Sequence, residues 1–430
     1  MKVLSAVLAL TLLAGLSPLA SAESAPPRTS WKFSFAPGPV HSGFTQISPD
    51  TVFTDERGYG FEPGSHVSLV DRADAPHSGF CTSDKPFYFS VAVPEGNYKV
   101  TVTLGDPRGE STTTIKAELR RLMLEKVHTA MGEVVTRTFI VNVRTPKIAG
   151  DGQVHLKPRE KTEEWVDWDN KLTLEFNDTR PCLCSLEIAP ADVPTIYILG
   201  DSTVCDQPRE PWNSWGQMLP RFFTDQVAVA NHAESGESLR SSLGAHRLDK
   251  VLSVMKNGDY LFIQYGHNDM KEKGNGVGAF TTYAADLKRF VKGAKSRGGI
   301  PVLITSMNRK SLDSSSKIKN TLGDYPEAVR RVAKEENVAL IDLNAMSATL
   351  YEALGPKDIG KAFQDGTHHN NYGSYELAKC IIEGIRQDHL AIAKFIAPDV
   401  GPFHPGHPDP VDQFSMPASA QSSTAKPDGN

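Results

Sequence analysis

The stretch that decides the fold reads Thr195-Ile-Tyr-Ile-Leu-Gly-Asp-Ser-Thr-Val204. Its apolar run, from Ile196 to Leu199, is typical of a strand buried on both faces of a parallel sheet. The run stops at Gly200, and Ser202 follows where the strand ends. Open α/β sheets bind ligands at the carboxyl ends of their strands, so this turn presents the Ser202 hydroxyl to a crevice. A serine hydroxyl is a useful nucleophile only beside a base and a group that stabilises an oxyanion.

The sequence after this stretch alternates apolar runs with helical patterns. The further runs span residues 227–230, 260–264, 302–305 and 339–343. Apolar residues between the runs recur on one helical face, as at Leu287, Phe290, Val291 and Ala294, and later at Ala378, Ile381, Ile382 and Ile385. Strand alternating with helix predicts right-handed βαβ crossovers. Residues 190–396 are therefore predicted to form an α/β domain whose five parallel strands are covered on both faces.

Residues 31–189 follow a β pattern instead. Asn97 to Leu104 alternate strictly between apolar and polar side chains, and further candidate strands span 87–93, 139–143 and 172–176. Only residues 117–126 also fit a helix. Short alternating strands between turns predict a β-sandwich domain over 31–189.

The two ends of the chain differ from the rest in composition. Lys2, the apolar run of residues 3–16 and Ala20-Ser-Ala22 have the form of a signal peptide, residues 1–22, cleaved near Ala22. A short N-terminal anchor is the alternative. Cleavage would make the protein secreted or periplasmic, with residues 23–30 as a leader. Residues 397–430 form a Pro-rich C-terminal tail, for which we predict an extended or disordered chain.

Charge and cysteine content limit the classes of function. The 430 residues carry a formal net charge of −5 without a basic block, which argues against a nucleic-acid partner. Beyond the N-terminus no apolar run reaches the ~18 residues of a membrane span. The five cysteines are too few for a disulfide scaffold, so they are either buried small hydrophobes or contribute one or two disulfides. Cys182-x-Cys184 lacks the second pair that a structural zinc site needs.

Four short motifs follow successive elements of the α/β domain. They are Gly200-Asp-Ser202, Ala233-Glu-Ser-Gly236-Glu-Ser-Leu-Arg240, Tyr265-Gly-His-Asn268-Asp269 and Asp365-Gly-Thr-His368. Since the carboxyl ends of parallel strands meet at one edge, all four are expected to gather there. Ser202 would be the nucleophile and His368 the general base, with Asp365 on the other imidazole nitrogen. The adjacent His369 is a second candidate base, although the Asp-x-x-His spacing favours His368.

The oxyanion of acyl transfer needs donors aimed at its developing charge. The candidates are the backbone N–H of Ser202, the backbone N–H of Gly236 and the side-chain amide of Asn268. The neighbouring His267 is also compatible with an ordinary core histidine.

These motifs resemble the sequence blocks of the SGNH (GDSL-type) hydrolases, and within them the rhamnogalacturonan acetylesterases of carbohydrate esterase family 12. The resemblance covers about residues 194–390. It implies a three-layer α/β/α domain with flavodoxin-like strand order, the catalytic roles given above, and neither a metal nor an organic cofactor. The β-sandwich resembles the galactose-binding-like module of some of these enzymes, without a motif of equal specificity.

The function expected from these observations is that of a secreted serine esterase. Its partner would be an acetylated plant polysaccharide, with rhamnogalacturonan (pectin) as the first candidate. Arg240, Arg309 and Trp212 follow strand ends and are candidate substrate contacts, because guanidinium pairs with uronate and an aromatic face stacks on sugar. Acetylxylan or another ester is an alternative substrate, and a non-catalytic carbohydrate-binding protein is an alternative function. The β-sandwich either binds sugar or buttresses the cleft, and the oligomeric state is left open.

Overall fold

The structure is a computed structural model that describes residues 30–37, 42–72, 79–150 and 152–428. The predicted signal peptide, and the leader up to residue 29, lie outside the described residues. Among the described residues, no helix combines the length and apolar character needed to cross a membrane.

Two facing sheets form the N-terminal domain. The described strands are β1 (Trp31–Ser34), β2 (Thr45–Gln46), β3 (Tyr59–Phe61), β4 (Ser68–Asp71), β5 (Gly79–Thr82), β6 (Phe87–Ala92), β7 (Gly96–Gly105), β8 (Ser111–Ala117), β9 (Arg121–Thr129), β10 (Val134–Val143), β11 (Lys171–Asn177) and β12 (Leu183–Pro190). One sheet runs β10-β7-β12-β1-β2, with β5 paired to β12 and β4 to β5, and the other runs β3-β6-β11-β8-β9. Both sheets are antiparallel except for the parallel pair β1–β2. The predicted β-sandwich is confirmed.

The strict alternation of β7 explains how the sandwich closes. Tyr98, Val100 and Val102 are buried in the core between the sheets, while the intervening polar residues face outward. β7 pairs with β10 along its whole length without a bulge, so the alternating face keeps its register. Phenylalanines from several strands fill the middle of the core in edge-to-face contacts, namely Phe33, Phe35, Phe61, Phe87 and Phe89.

The helical alternative for residues 117–126 is wrong. Residues 121–126 of this segment belong to β9, and residues 118–120 form the turn from β8, in which Glu118 and Arg120 have φ of 53° and 64°. Such left-handed backbone cannot continue a right-handed helix. The segment is held by long-range packing, because Leu122 is buried in the core of the neighbouring α/β domain.

A second domain has a parallel sheet of five strands in the order β14-β13-β15-β16-β17. These are β13 (Thr195–Gly200), β14 (Ala228–Asn231), β15 (Tyr260–Gln264), β16 (Ile300–Ile304) and β17 (Ala339–Ile341). The described helices are α1 (Pro158–Thr162), α2 (Trp215–Met218), α3 (Leu239–Gly244), α4 (Arg247–Val254), α5 (Ala284–Ser296), α6 (Tyr325–Glu336), α7 (Leu343–Asp358, with non-helical backbone at Gly355) and α8 (Asn371–Gln387). Single turns lie at Trp165–Trp168, Leu219–Phe222, Asp269–Lys271, Ala279–Tyr283, Ile359–Ala362 and Ala391–Phe395. The five predicted parallel strands and their flavodoxin-like order are confirmed.

Each face of this sheet is covered by its own apolar core. α5 contributes Leu287, Phe290 and Val291 to one core, and α8 contributes Ile381 and Ile385 to the other. All of these side chains are fully buried, as their helical spacing predicts. The sheet is therefore fixed from both sides, which gives the loops at its carboxyl edge a rigid base.

Buried ion pairs join the two domains. Arg121 lies 3.0 Å from Asp206 and Arg120 lies 2.6 Å from Glu210, and both acids belong to the α/β domain. Asp167 of the N-terminal domain lies 3.1 Å from both Arg121 and Arg144. Charges removed from water are tolerated only when paired, so separating the domains would leave unpaired charges at this interface.

The C-terminal tail packs against both domains along its described residues, 397–428. The ring of Phe414 lies 5.5 Å from the ring of Tyr372, and Phe403 is buried. Further on, Lys116 Nζ donates to the carbonyl of Pro417, and Ser419 Oγ donates to the Glu175 carboxylate, at 2.8 and 2.7 Å. Of the two alternatives predicted for the tail, the extended chain agrees with these residues and disorder does not, because composition does not show the polar anchors that distant strands provide.

All five cysteines lie within the described residues, and each is buried and unbonded. Of the two alternatives, the one in which the cysteines act as small buried hydrophobes agrees with the structure.

Candidate active site

The turn after β13 holds Ser202 through its neighbours. The carboxylate of Asp201 accepts hydrogen bonds from the backbone N–H and the hydroxyl of Thr203, at 2.9 and 2.7 Å. Gln207 Nε2 donates to the carbonyl of Ser202 at 2.7 Å. A side chain at Gly200 would place its Cβ 2.8 Å from the backbone oxygen of Gln264, so this close approach requires glycine. The turn is thus fixed on all sides, and Ser202 is only 3% exposed.

A chain of two hydrogen bonds links Ser202 to the loop before α8. His368 Nε2 lies 2.8 Å from Ser202 Oγ, and His368 Nδ1 lies 2.9 Å from Asp365 Oδ2. The other carboxylate oxygen of Asp365 accepts the backbone N–H groups of Thr367 and His368, at 2.6 and 2.7 Å. The predicted nucleophile, base and orienting carboxylate therefore stand in the order that acyl transfer requires.

The hydrogen bonds around Asp365 set its ionisation. Burial acts to raise the pKa of Asp365, but the bonds from the His368 side chain and the two backbone N–H groups outweigh burial and hold the pKa well below its ordinary value. The group is therefore a carboxylate at neutral pH. It accepts Nδ1–H of His368, which leaves the Nε2 lone pair directed at the Ser202 hydroxyl.

The other two histidines near the site have different surroundings. His369 Nε2 is bonded to the Tyr351 hydroxyl at 2.8 Å, and burial lowers the pKa of His369 to about 3. His267 is buried with Nδ1 3.4 Å from Asp201 Oδ2. The geometry thus brings His368, and not His369, to the Ser202 hydroxyl.

The two other oxyanion candidates follow β14 and β15. Gly236 has φ of 75°, a left-handed conformation that favours glycine. The Asn268 amide donates to the carbonyl of Glu237 at 3.0 Å, and its oxygen accepts from Lys271 Nζ at 3.1 Å. These two bonds fix the direction of the amide, and an NH₂ group carries a second hydrogen for a ligand.

Two of the predicted substrate contacts adjoin the triad. Arg309 donates to the hydroxyl of Thr367 at 3.2 Å, within the loop that carries His368. The ring of Trp212 stands edge-on to the imidazole of His368, with 5.8 Å between centroids. The indole N–H of Trp212 is bonded to the Ser423 carbonyl at 3.0 Å, so the tail fixes this ring.

The third predicted contact has other partners. The side chain of Arg240 is about half exposed and lies 3.5 Å from a carboxylate oxygen of Glu272 and 3.9 Å from one of Asp286. The structure therefore shows Arg240 among acidic groups rather than against the triad.

The loop of residues 205–213 is held by a residue that sequence reasoning missed. Arg120 of the β-sandwich donates to the carbonyls of Gln207 and Trp212, at 2.9 and 3.1 Å, and lies 2.6 Å from Glu210 Oε1. Lys157, also from the N-terminal part, lies 3.0 Å from Glu237 Oε1 and donates to the Ser235 carbonyl. Neither residue has a local sequence signal, because each acts on a loop far away in the chain. Through these contacts the N-terminal domain supports the loops of the α/β domain, which is the buttress alternative given above.

Three buried carboxylates approach one another beside the Gly236 motif. Among the described residues, Glu160, Glu164 and Glu234 form the group whose oxygen atoms lie within 4.8 Å and could hold a cation. Arg247 lies 2.6 Å from Glu160, and Arg159 is paired with Glu164. Two guanidinium groups thus already compensate this charge, and the cluster fits an ion-pair network.

A further buried carboxylate makes stability depend on pH. Burial, with a smaller effect from the charge of Asp201, raises the pKa of Asp269 from its ordinary value of 3.8 to about 8, although the carboxyl accepts the Leu239 N–H at 2.9 Å. The folded state therefore holds a proton that the unfolded state releases above about pH 4. Since the unfolded state binds fewer protons in this window, the free energy of unfolding falls as pH rises from about 4 to about 8.

Asp269→Asn is expected to remove this pH dependence, because the amide is neutral and its oxygen still accepts the Leu239 N–H. The free energy of unfolding of the variant minus that of wild type should therefore increase by on the order of 1–3 kcal/mol from pH 5 to pH 9. Urea unfolding at both pH values measures this, with Asp358→Asn at its ion pair with Lys361 as control. An equal response of wild type and Asp269→Asn to pH would contradict the assignment.

Known proteins share both parts of this chain. Residues 198–374 match the GDSL-like Lipase/Acylhydrolase family, and residues 31–143 match the Beta-agarase/YXIM esterase-like, galactose-binding domain-like family. The rhamnogalacturonan acetylesterase RhgT of Bacillus subtilis is 37% identical over 218 residues, which cover 45% of this chain and 93% of RhgT. The uncharacterised esterase YxiM of the same organism is 26% identical over 405 residues, 91% of this chain and 99% of YxiM. The crystal structure of YxiM superposes with a TM-score of 0.47 at 25% identity, over 84% of this chain and 99% of YxiM.

The family match includes the serine turn, the two following strand ends and the histidine loop. RhgT is matched over nearly its whole length at an identity well above 30%. This chain is therefore a carboxylic ester hydrolase that belongs to the GDSL-like lipase/acylhydrolase (SGNH) family and carries an N-terminal galactose-binding-like domain.

Proposed function

We propose that this hydrolase removes acetyl groups from a plant cell-wall polysaccharide, rhamnogalacturonan, through an acyl-enzyme on Ser202. The observation that carries the proposal is the hydrogen-bonded chain from Ser202 through His368 to Asp365, at 2.8 and 2.9 Å. The choice of polymer is supported by the similarity to RhgT, a rhamnogalacturonan acetylesterase.

In the first half of the reaction, His368 Nε2 takes the proton of the Ser202 hydroxyl as Oγ attacks the acetyl carbonyl carbon. The resulting oxyanion accepts hydrogen bonds from the backbone N–H of Ser202 and Gly236 and from the Asn268 amide. Collapse of the tetrahedral intermediate breaks the bond to the sugar oxygen. The departing oxygen takes the proton from His368, so the sugar leaves as an alcohol.

In the second half, water replaces the sugar. His368 takes a proton from the water as its oxygen attacks the acetyl-serine carbonyl, and the same donors hold the second oxyanion. Collapse returns the proton to Ser202 Oγ and releases acetate. Asp365 stays ionised throughout and stabilises the imidazolium that forms in each half.

The proposed place of action is outside the cytoplasm. Support comes from the signal-peptide pattern of residues 1–22, with its small-x-small end at Ala20-Ser-Ala22. N-terminal sequencing of the protein secreted by its host should begin at residue 23, and an intact Met1 in the exported protein would contradict the cleavage.

The polymer is tested by measuring acetate release from acetylated rhamnogalacturonan, acetylated xylan and an aryl acetate. We expect release from rhamnogalacturonan and the aryl acetate. Release from xylan and not from rhamnogalacturonan would keep the mechanism and overturn the polymer. An inert protein on all three esters would overturn the proposed activity.

Arg120→Ala is expected to lower kcat for the aryl acetate about tenfold. The variant loses the hydrogen bonds from Arg120 to the loop that carries Trp212, so the Trp212 ring that packs against His368 shifts. The exposed Arg137 of the same domain bonds only locally, to the Thr136 carbonyl, and Arg137→Ala is the matched control. An Arg120→Ala enzyme with wild-type kcat would show that the β-sandwich does not position the loop.

A further inference from the structure

We propose that a groove between the β-sandwich and the loop of residues 205–213 binds the main chain of the polysaccharide, with Trp165 as its aromatic platform. The inference rests on the proposed function and adds a binding site outside the triad. It assigns the β-sandwich a direct share in substrate binding, beyond its role as a buttress.

Two adjoining cavities form this groove. One has a volume of about 340 Å³ and is lined by Tyr88 and Trp165 of the N-terminal domain. The other has a volume of about 160 Å³ and reaches Trp212. Glu163, Pro208 and Arg209 line both cavities, so the two lie side by side. The ring of Trp212 stands edge-on to the imidazole of His368 with 5.8 Å between centroids, so the groove ends one ring away from the proposed base.

Trp165 has the exposure and rigidity of a sugar platform. Its side chain is 44% exposed, although most tryptophans are largely buried. Lys171 Nζ lies 4.7 Å over the indole ring, and the same ammonium lies 4.8 Å over Phe53. A ring held in this way presents apolar surface with little conformational entropy left to lose, and it complements the C–H face of a pyranose.

The polar lining suits a ligand rich in hydroxyl groups. Arg209 and Glu163 are both partly exposed and form an ion pair with 3.3 Å between Nε and Oε2, at the junction of the two cavities. Together they offer donors and acceptors side by side, which sugar hydroxyls can use at once. Glu163 can accept hydrogen bonds from sugar hydroxyls and Arg209 can pair with a uronate carboxylate, so a polysaccharide that carries both groups is the occupant that fits.

The groove is already formed in the free protein. The carbonyl of Gln421 accepts the N–H of Glu210 at 2.9 Å, and the N–H of Ser423 donates to the carbonyl of Glu210 at 2.8 Å. The tail is thereby bonded along the loop, and it supplies one wall of each cavity. A preformed site spares the ligand most of the cost of ordering its walls.

Affinity electrophoresis through a gel that contains deacetylated rhamnogalacturonan tests the groove without any ester cleavage. We expect wild type and Trp165→Tyr to be retarded and Trp165→Ala to migrate freely. Phe280→Ala removes an aromatic side chain that is also 44% exposed but lies outside the groove, and it should be retarded like wild type. Free migration of wild type, or equal retardation of Trp165→Ala, would overturn the inference.

Kinetics on two esters give a second test. For Trp165→Ala, the ratio of kcat/KM on acetylated rhamnogalacturonan to kcat/KM on the aryl acetate should fall roughly tenfold, through KM for the polymer. An unchanged ratio would count against the groove. If the gel retards wild type but wild type does not deacetylate the polymer, the proposed substrate is contradicted and the groove is not.

Discussion

Ser202→Ala is expected to lower kcat on an aryl acetate by about 10⁴- to 10⁶-fold, the range found when a serine nucleophile is removed from an assembled triad. The physical reason is that Ser202 Oγ is the hydroxyl placed for attack, 2.8 Å from His368 Nε2, which would take its proton. Without Oγ there is no acyl-enzyme. The remaining catalysis would come from substrate binding and from stabilisation of the oxyanion that forms when water attacks the ester directly.

The variant should keep its fold, since it loses one hydrogen bond and a single buried atom. Its melting temperature is expected to stay close to that of wild type. Ser253→Ala is a matched control, because the Ser253 hydroxyl on α4 donates only within its helix, to the Lys250 carbonyl at 2.8 Å. The control should retain wild-type kcat. A Ser202→Ala enzyme that turns over within tenfold of wild type would remove Ser202 from the mechanism.

Much of the α/β domain could be predicted because burial on both faces leaves a simple signal. Each strand of a covered parallel sheet reads as a short apolar run, and the predicted run 260–264 coincides with β15. The run predicted at 227–230 is one residue away from β14 at Ala228–Asn231, since Asn231 continues the strand by using its side chain on the Val204 carbonyl. A prediction based on apolar runs therefore misses strand residues such as Asn231, whose polar side chains are hydrogen-bonded inside the protein.

The contact between Asp365 and His368 could be predicted for a related reason. Asp365 and His368 are close in sequence, and the spacing of three residues is enough to join them. Arg120, by contrast, acts on the loop of Trp212 from a β-turn far away in the chain. Its neighbours in sequence give no indication of that contact, because it depends on how two domains pack. The same holds for Ser423, whose carbonyl fixes the Trp212 ring although the composition of the tail predicts disorder.

Asp365→Asn is expected to lower kcat by about 10³- to 10⁴-fold with little change in KM. The carboxylate accepts Nδ1–H of His368 at 2.9 Å, while its second oxygen accepts the Thr367 and His368 backbone N–H groups. In the variant the amide oxygen keeps the backbone bonds, so the NH₂ group must face Nδ1. Nδ1 then becomes an acceptor and the ring proton moves to Nε2, where it opposes the Ser202 hydroxyl and cannot take its proton.

This tautomer change has a signature of its own. Wild type should show a strongly downfield proton resonance for the His368 Nδ1–H in its charge-assisted bond, and Asp365→Asn should lack it while keeping the same melting profile. Because the pKa of Asp365 is held well below its ordinary value, the wild-type resonance should persist far into the acid range as long as the protein stays folded. The half-buried Asp358, paired with Lys361 at 2.8 Å, is the control site, and Asp358→Asn should leave both kcat and the resonance unchanged. Loss of kcat by less than tenfold in Asp365→Asn would mean that the imidazole is oriented without this carboxylate, and the triad would reduce to a serine–histidine pair.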